Sequence, residues 1–329
     1  MDLLEEIRKK MASLAGNHPR DGVNAVVRHV EIAERYLMRA RAENDEDLYN
    51  DVIYRTNQAF EGMLKEAYTV LTDEDGAKLS PHQIEQHLMR EKVFAPRVLD
   101  LFTNYRRQWR NPSTHDYKLF FSDQEALLAI VSVSAFTNIL LDQIIETISF
   151  KHEKEKLQLS KQQLQDRSNF QGALVHEEVI TLLELFSEEL ARSIPDSAQL
   201  IELELIGKLH AFIESIDPDL NVVREPPISG HPKLRPDFLI QKDNSEVVIE
   251  VKRATLNEKS VEVGLKQLLS YLGAAKFQQG ILYIPPFSGG RIRVTSSTWK
   301  VDGREVRAHA VIPWDYNLDV VEALMVNSN

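Results

Sequence analysis

The 329-residue sequence predicts two dissimilar parts: an all-α helical bundle over residues 1–150 and an α/β domain with a small mixed sheet over residues 196–329, joined by connecting helices over 151–195. Three observations predict this. Apolar residues recur at spacings of three and four through the first part, with no strand-like alternation of useful length. After about Ser193 the pattern turns to short β-branched runs bounded by turn residues. There the order helix, strands, helix, strand sets helices against a sheet.

Helical spacing covers segments near 2–14, 24–42, 46–72, 81–110 and 122–149. Ser80-Pro81-His82-Gln83 joins an N-cap serine to a proline at the first helical position and a glutamine three residues after the cap, and Ser122 with Glu125 forms a second capping box. The longest apolar stretch, Ala126 to Leu141, is interrupted by Ser132, Ser134, Thr137 and Asn138 and is too short to span a bilayer, so it reads as a core helix. From Lys151 to about Asn169 the chain is charged and glutamine-rich, with sparse leucines at 157, 159 and 164. That composition predicts an exposed connecting helix or a short coiled coil.

In the second part a helix is expected over Ala198 to about Ser215, then a strand at Asn221-Val222-Val223-Arg224 and a bend at Pro226-Pro227. Leu239 and Ile240 open an extended run, Lys242-Asp243-Asn244-Ser245 is turn chemistry, and Val247, Val248, Ile249 and Val251 form a buried strand. A helix over Val261 to Ala275, a strand at Ile281-Leu282-Tyr283-Ile284 and an Asp302-Gly303 hairpin turn follow.

Zero cysteines exclude a disulfide framework and a thiolate zinc site, in keeping with a reducing cytoplasm, which is the expected location. The first residues lack the basic and apolar regions of a signal peptide, and no membrane partner is expected. The net charge of −11 is unevenly spread: residues 224–310 carry +5 and the remainder −16. The positive share surrounds the residues described next, as phosphate steering requires, although Lys-rich solvated strands give the same count.

Asp237 and Glu250 stand on the two strands of the expected hairpin, with Lys252 two residues further on. Because side chains alternate along a strand, Val248, Glu250 and Lys252 share one face and Val247, Ile249 and Val251 the other. Two carboxylates and a lysine in one small volume suit metal-assisted phosphodiester hydrolysis. Asp237 and Glu250 offer hard oxygen ligands for Mg²⁺ or Mn²⁺, and Lys252 orients or helps deprotonate the attacking water and offsets developing charge. The alternative is structural, with Asp237 capping a turn and Glu250 paired to Lys252 on an edge strand.

Pro236-Asp237, Glu250-Val251-Lys252, and Gln267 with Tyr271 in the following helix resemble the PD-(D/E)XK nuclease superfamily, which includes restriction endonucleases and RecB-like nucleases. The resemblance covers about residues 196–290. It implies a restriction-endonuclease-like fold, a magnesium-dependent DNA endonuclease activity, a further acidic metal ligand on the first core helix at Glu204, with Glu202 as runner-up, and substrate contacts from Gln267 and Tyr271.

A second constellation lies in Tyr105-Arg106-Arg107-Gln108-Trp109-Arg110-Asn111-Pro112-Ser113-Thr114-His115. Four residues separate Arg110 from His115. An arginine to hold a phosphate and a histidine to exchange a proton with the 2′-hydroxyl or the leaving oxygen suffice for metal-independent RNA cleavage. Arg106, Arg107 and Lys118 add positive charge, and Tyr105, Trp109 and Tyr117 offer stacking faces. Arg110-Asn111-Pro112 also reads as a helix C-terminus, since proline restrains the residue before it and removes a helical donor. Over about residues 20–150 the chain resembles the HEPN superfamily of helical domains, whose R-x-x-x-x-H motif, often with asparagine after the arginine, forms a composite ribonuclease site on dimerisation. The resemblance implies roles for Arg110, Asn111 and His115 and a homodimer.

The expectation is therefore a two-part nuclease acting on DNA with its C-terminal domain and on RNA with its N-terminal one, a pairing that suggests phage defence by family analogy. The rivals are an RNase effector whose C-terminal domain mainly binds nucleic acid, and a non-catalytic dimeric interaction or sensor protein.

Overall fold

The computed structural model describes residues 2–14, 19–91, 96–115, 118–168, 170, 172–194, 200–231, 233–253, 259–275, 277–286, 290–317 and 321–323. The chain divides into two compact units, Met1–Ile148 and Ser149–Asn329. It combines helices with one six-stranded mixed sheet.

The first unit is helical: α1 (Leu3–Ala12), α2 (Arg20–Glu43), α3 (Leu48–Thr72), α4 (Pro81–Arg90), α5 (Pro96–Tyr105), a π-helical turn (Arg106–Arg110), α6 (Asn111–His115) and the first part of α7 (Asp123–Leu157). Both predicted capping boxes form, with Ser80 paired to Gln83 at the start of α4 and Ser122 to Glu125 before α7. Within the span expected as one helix over 81–110, α4 ends at Arg90, with Glu91 in a turn, and α5 begins at Pro96.

Helix α7 is longer than the apolar stretch suggested. It has the length and apolarity to cross a membrane, but 56% of its most apolar window is buried inside the structure. Ala126, Ala129, Val133, Phe136, Leu140 and Ile144 face the core at spacings of three and four, the packing of a core helix.

The second unit contains the C-terminal part of α7, α8 (Lys161–Arg167), α9 (Val175–Ser193), α10 (Glu202–Ile216) and α11 (Lys259–Ala274), with β1 (Asn221–Arg224), β2 (Phe238–Lys242), β3 (Ser245–Val251), β4 (Gln279–Tyr283), β5 (Ile292–Val301) and β6 (Arg304–Pro313). The sheet runs β1-β2-β3-β4-β6-β5. Strands β1, β2 and β3 are antiparallel neighbours, β3, β4 and β6 are parallel, and β5 returns antiparallel on β6 through the Asp302-Gly303 turn. Both turn residues have positive φ, as a tight hairpin of this twist requires.

Each face of the sheet is covered. Val247, Ile249, Val251, Ile281, Tyr283 and Val311 pack with Leu182, Phe186 and Leu190 of α9 and Leu209, Phe212 and Ile213 of α10. Val248, Leu282, Ala308, Ala310 and Ile312 pack with Val261, Leu265, Leu268 and Leu272 of α11 on the other side. Burying each such leucine or isoleucine contributes about 1.5–3 kcal/mol. Helix α11 lies so close that a Cβ on Gly264 would come within 2.4 Å of Leu282. Its C-terminal carbonyls at Leu272, Gly273 and Ala275 accept hydrogen bonds from Arg304.

The segment expected to be an exposed connector belongs to this core. Leu157 and Leu164 are each 2% exposed, and buried Glu153 is held by Lys156 and Lys208. Helix α9, also assigned to the connector, supplies much of one face of the core. Sparse leucines in a charged background carried little periodic signal, yet Leu157 and Leu164 land on the buried side, whereas Leu159 is 96% exposed.

Behind β6, His309 is 3% exposed, with Nε2 beside Gln279 of β4, Nδ1 beside Ser296 of β5, and its ring stacked on His176 of α9 at 4.9 Å. Burial first, then His176 and Arg307, hold its pKa down at about 4, against a smaller opposing influence of Glu177. The unfolded chain takes up this proton near pH 6.5 and the folded one only near 4, so the stabilisation is complete above 6.5 and is lost as pH falls toward 4. Urea unfolding at pH 7 and pH 5 should show a loss on the order of 2 kcal/mol traceable to this site. His309→Gln should reduce the difference between the two pH values.

Candidate metal centre and the arginine turn

The hairpin β2–β3 places the candidate residues at one end of the sheet. Asp237 directly precedes β2, and its Oδ2 accepts a hydrogen bond from the Val251 backbone N–H at 2.7 Å, which ties the carboxylate to the end of β3. The Asp237 carbonyl accepts from Arg224 of β1, whose guanidinium lies 4.5 Å from the Phe238 ring centroid. Glu250 is 3% exposed. Its Oε1 accepts from Lys252 Nζ at 2.5 Å, while Oε2 is buried without a hydrogen bond. The expected face is the observed one, with Val248 in the α11 layer and Val247, Ile249 and Val251 in the α9–α10 layer.

Electrostatics follow from this crowding. Burial, then the charge of nearby Glu250, pushes the Asp237 carboxyl up to about 7, despite the Val251 hydrogen bond and the charges of Arg224 and Lys252. Burial also raises Glu250 above the ordinary carboxylate range, against the pull of Lys252. Lys252 shows the opposite balance. Burial disfavours its charge, but the hydrogen bond and charge of Glu250, with the charges of Glu202 and Asp237, outweigh it and keep the ammonium protonated.

Helix α11 lays Tyr271 and Gln267 over this end of the sheet. Tyr271 is buried and interacts with the Glu250 carboxylate, and burial followed by the charges of Glu250 and Asp237 raises its phenol. Gln267 Oε1 is buried without a hydrogen bond.

Glu204, the residue expected to complete the carboxylates, caps the start of α10. Its Oε2 accepts from the Ile201 backbone N–H at 3.0 Å, closing the N-terminal turn of α10, and its nearest cations are Lys208 and Arg253. Glu202 is the α10 carboxylate whose charge acts on both Glu250 and Lys252. Spacing alone does not separate the two; in the structure Glu204 caps α10 and the charge of Glu202 acts on Glu250 and Lys252.

Among the described residues no group of three or more His, Asp or Glu side chains is arranged to hold a metal ion. The donor set is the pair Asp237 and Glu250. A magnesium-like ion is commonly held by one or two carboxylates, with water and substrate phosphate filling its other positions. The orphaned Oε2 of Glu250 fits that role, since a buried carboxylate oxygen without a partner is costly.

In the first unit, α5, the π-helical turn and α6 form one uninterrupted helical run from Pro96 to His115. Arg110 and His115 therefore lie on one run, and Pro112 does not end the helix. The wider turn has Asn111 N–H bonded to the Arg106 carbonyl five residues back. π-Turns of this kind are frequent at functional sites. Arg110 Nε is 3.1 Å from Glu61 Oε1 of α3, and its Nη1 donates to Asn111 Oδ1 at 3.3 Å. Asn57, one turn earlier on α3, donates to Ser113 Oγ and accepts from the Tyr105 hydroxyl. The sequence held no signal for Glu61 or Asn57, which lie some fifty residues upstream.

Other expected contributors divide. Arg106 is paired with buried Glu85, and Arg107 is exposed. Tyr105 and Trp109 are not stacking faces for bases, because they are 1% and 8% exposed and pack with Phe60 and each other. Tyr117 lies outside the described residues, as does the side chain of His115.

Compared with models of known protein families, with curated proteins and with solved structures, the chain shows no match.

Proposed function

We propose that the second unit is a divalent-metal-dependent nuclease of the restriction-endonuclease-like kind that hydrolyses DNA phosphodiester bonds at Asp237, Glu250 and Lys252. The observation that carries the reading is the buried, unpartnered Oε2 of Glu250 beside a second buried carboxylate whose proton is held up to about pH 7. Two carboxylates this close disfavour each other's charge, and a bound cation relieves both.

Asp237 and Glu250 would hold the cation, which when bound withdraws charge from the phosphate oxygens and acidifies a water. Lys252, kept protonated by its neighbours, donates a hydrogen bond to the water or to a phosphate oxygen and stabilises the charge that builds up there. The water gives up a proton as its oxygen bonds to phosphorus, the bond from phosphorus to the leaving deoxyribose oxygen breaks, and that oxygen takes up a proton. Tyr271 and Gln267 border the same volume and position the strand.

A second reading is favoured by one observation, the π-turn that holds Arg110 on a continuous run with His115. It gives the first unit a metal-independent ribonuclease activity that operates when two copies associate.

Incubating the purified full-length protein with end-labelled DNA and RNA, in Mg²⁺ and in EDTA, separates the readings. Cutting of DNA in Mg²⁺ and not in EDTA is the expected result. RNA cutting that survives EDTA assigns activity to the first unit, and an absence of cutting on every substrate removes the nuclease reading.

A further inference from the structure

The rim of the sheet that bears Asp237 and Glu250 continues past β4 to β6 and β5. Strands β3, β4 and β6 are parallel, so their C-terminal ends lie along one edge, and β5 begins at that edge. Two strand spacings, about 10 Å, separate β3 from β6 across the sheet.

Trp314 follows directly on β6. It is 58% exposed and anchored at both ends, its backbone N–H bonded to the Arg291 carbonyl at 3.1 Å and its ring lying 4.7 Å from the Arg293 guanidinium. The indole lies against a cation and is left open to solvent, where another flat ring can stack on it.

Beside it is a cavity of about 620 Å³, lined by Glu184 and Glu188 of α9 and by Gly290, Arg291, Ile292 and Trp314. Its wall is built closely. Gly290 has φ +68°, and a Cβ there would come within 3.0 Å of Ala191 and 3.3 Å of the Glu188 backbone, so only glycine lets the segment seat on α9. Glu188 is already engaged by Arg167 and Arg192. Glu184 is left as the carboxylate that the cavity presents, and Arg291 is an exposed cation in the same lining.

We propose that this cavity binds an unpaired nucleobase, stacked on the open face of Trp314 with its amino edge toward Glu184 and its phosphate beside Arg291. The proposal rests on the nuclease reading and deepens it, because it makes single-stranded nucleic acid the form of substrate that the second unit holds. Aromatic faces take bases only when these are unpaired and unstacked from a partner strand. A carboxylate accepts from the amino groups of adenine, cytosine and guanine, whereas thymine presents carbonyl oxygens on either side of its N–H.

The test uses full-length Asp237→Ala protein in EDTA, titrated with single-stranded oligomers of dA, dC, dG or dT. Trp109 and Trp299 are 8% and 6% exposed, so quenching of tryptophan fluorescence reports chiefly on Trp314. Saturable quenching is expected, with dT weakest. Anisotropy of labelled oligomers should show binding weaker by roughly ten-fold or more in Trp314→Ala, near the parent level in Trp314→Phe, and without discrimination against dT in Glu184→Gln. Absence of saturable quenching, or equal affinity in Trp314→Ala, overturns the proposal. Because this assay needs neither metal nor cutting, saturable stacking together with a parent protein that cuts no substrate in Mg²⁺ would count against the nuclease reading alone.

Discussion

Replacing Asp237, Glu250 or Lys252 by alanine should each lower magnesium-dependent cleavage by roughly 10²-fold or more, the expected consequence of losing a metal ligand or the group that orients the attacking water. Folding should survive. Glu250→Ala removes a buried charge together with its unpartnered oxygen, although it strands Lys252, whose ammonium is paired to Glu250. The sharper variant is Glu250→Gln, which keeps an oxygen toward Lys252 while removing the negative charge. Circular dichroism and cleavage rates on the same preparations distinguish loss of chemistry from loss of fold. Folded Glu250→Ala and Lys252→Ala proteins that cut as fast as the parent would show that this pair is a structural salt bridge.

The second large effect concerns the first unit. If Arg110 and His115 act on RNA, cleavage persists in EDTA, leaves a 2′,3′-cyclic phosphate or its hydrolysis product, and falls by about 10²–10⁴-fold in His115→Ala with DNA cutting unchanged. Glu61→Gln offers an independent reading of the arginine. In the described structure Glu61 pairs with Arg110, so weakening that pair should alter RNA cleavage through the arginine's position, leaving DNA cutting untouched. If RNA cleavage needs Mg²⁺ and disappears with Glu250→Ala instead, the second unit carries all the chemistry and the first serves association.

Much of the candidate metal site was legible before the fold was known, because its signals are local. The β-branched run Val247 to Val251 buries as one strand, the Asp-Asn turn sets its register against β2, and strand alternation alone divides Glu250 and Lys252 from Ile249 and Val251. What escaped notice depends on contacts distant in sequence. Nothing local says that Glu204 will close the N-terminus of α10 while Glu202 reaches the charges of β3. Helix α9 looked like a connector because its role as one layer of the sheet's core exists only once β3 and β4 are paired.

The arginine turn illustrates the reverse case. Pro112 is a local signal for a helix end, yet the run continues, because a π-turn with an i→i+5 hydrogen bond at Asn111 leads the chain past the missing donor. The aromatic residues around it were equally misleading. Tyr105 and Trp109 sit beside arginines in the sequence but point into the core of the bundle, whereas Trp314, in a segment with no motif, is open to solvent.

Metal-dependent cleavage requires that Asp237 and Glu250 form a cation site. Isothermal titration of the full-length protein with Mn²⁺ at pH 7.5 tests this directly, since it reads binding without requiring a substrate. One strong site per chain is predicted, lost in both Asp237→Ala and Glu250→Gln and retained in Lys252→Ala. Heat of binding that is unchanged in Asp237→Ala and Glu250→Gln, or absent from the parent, would contradict the assignment.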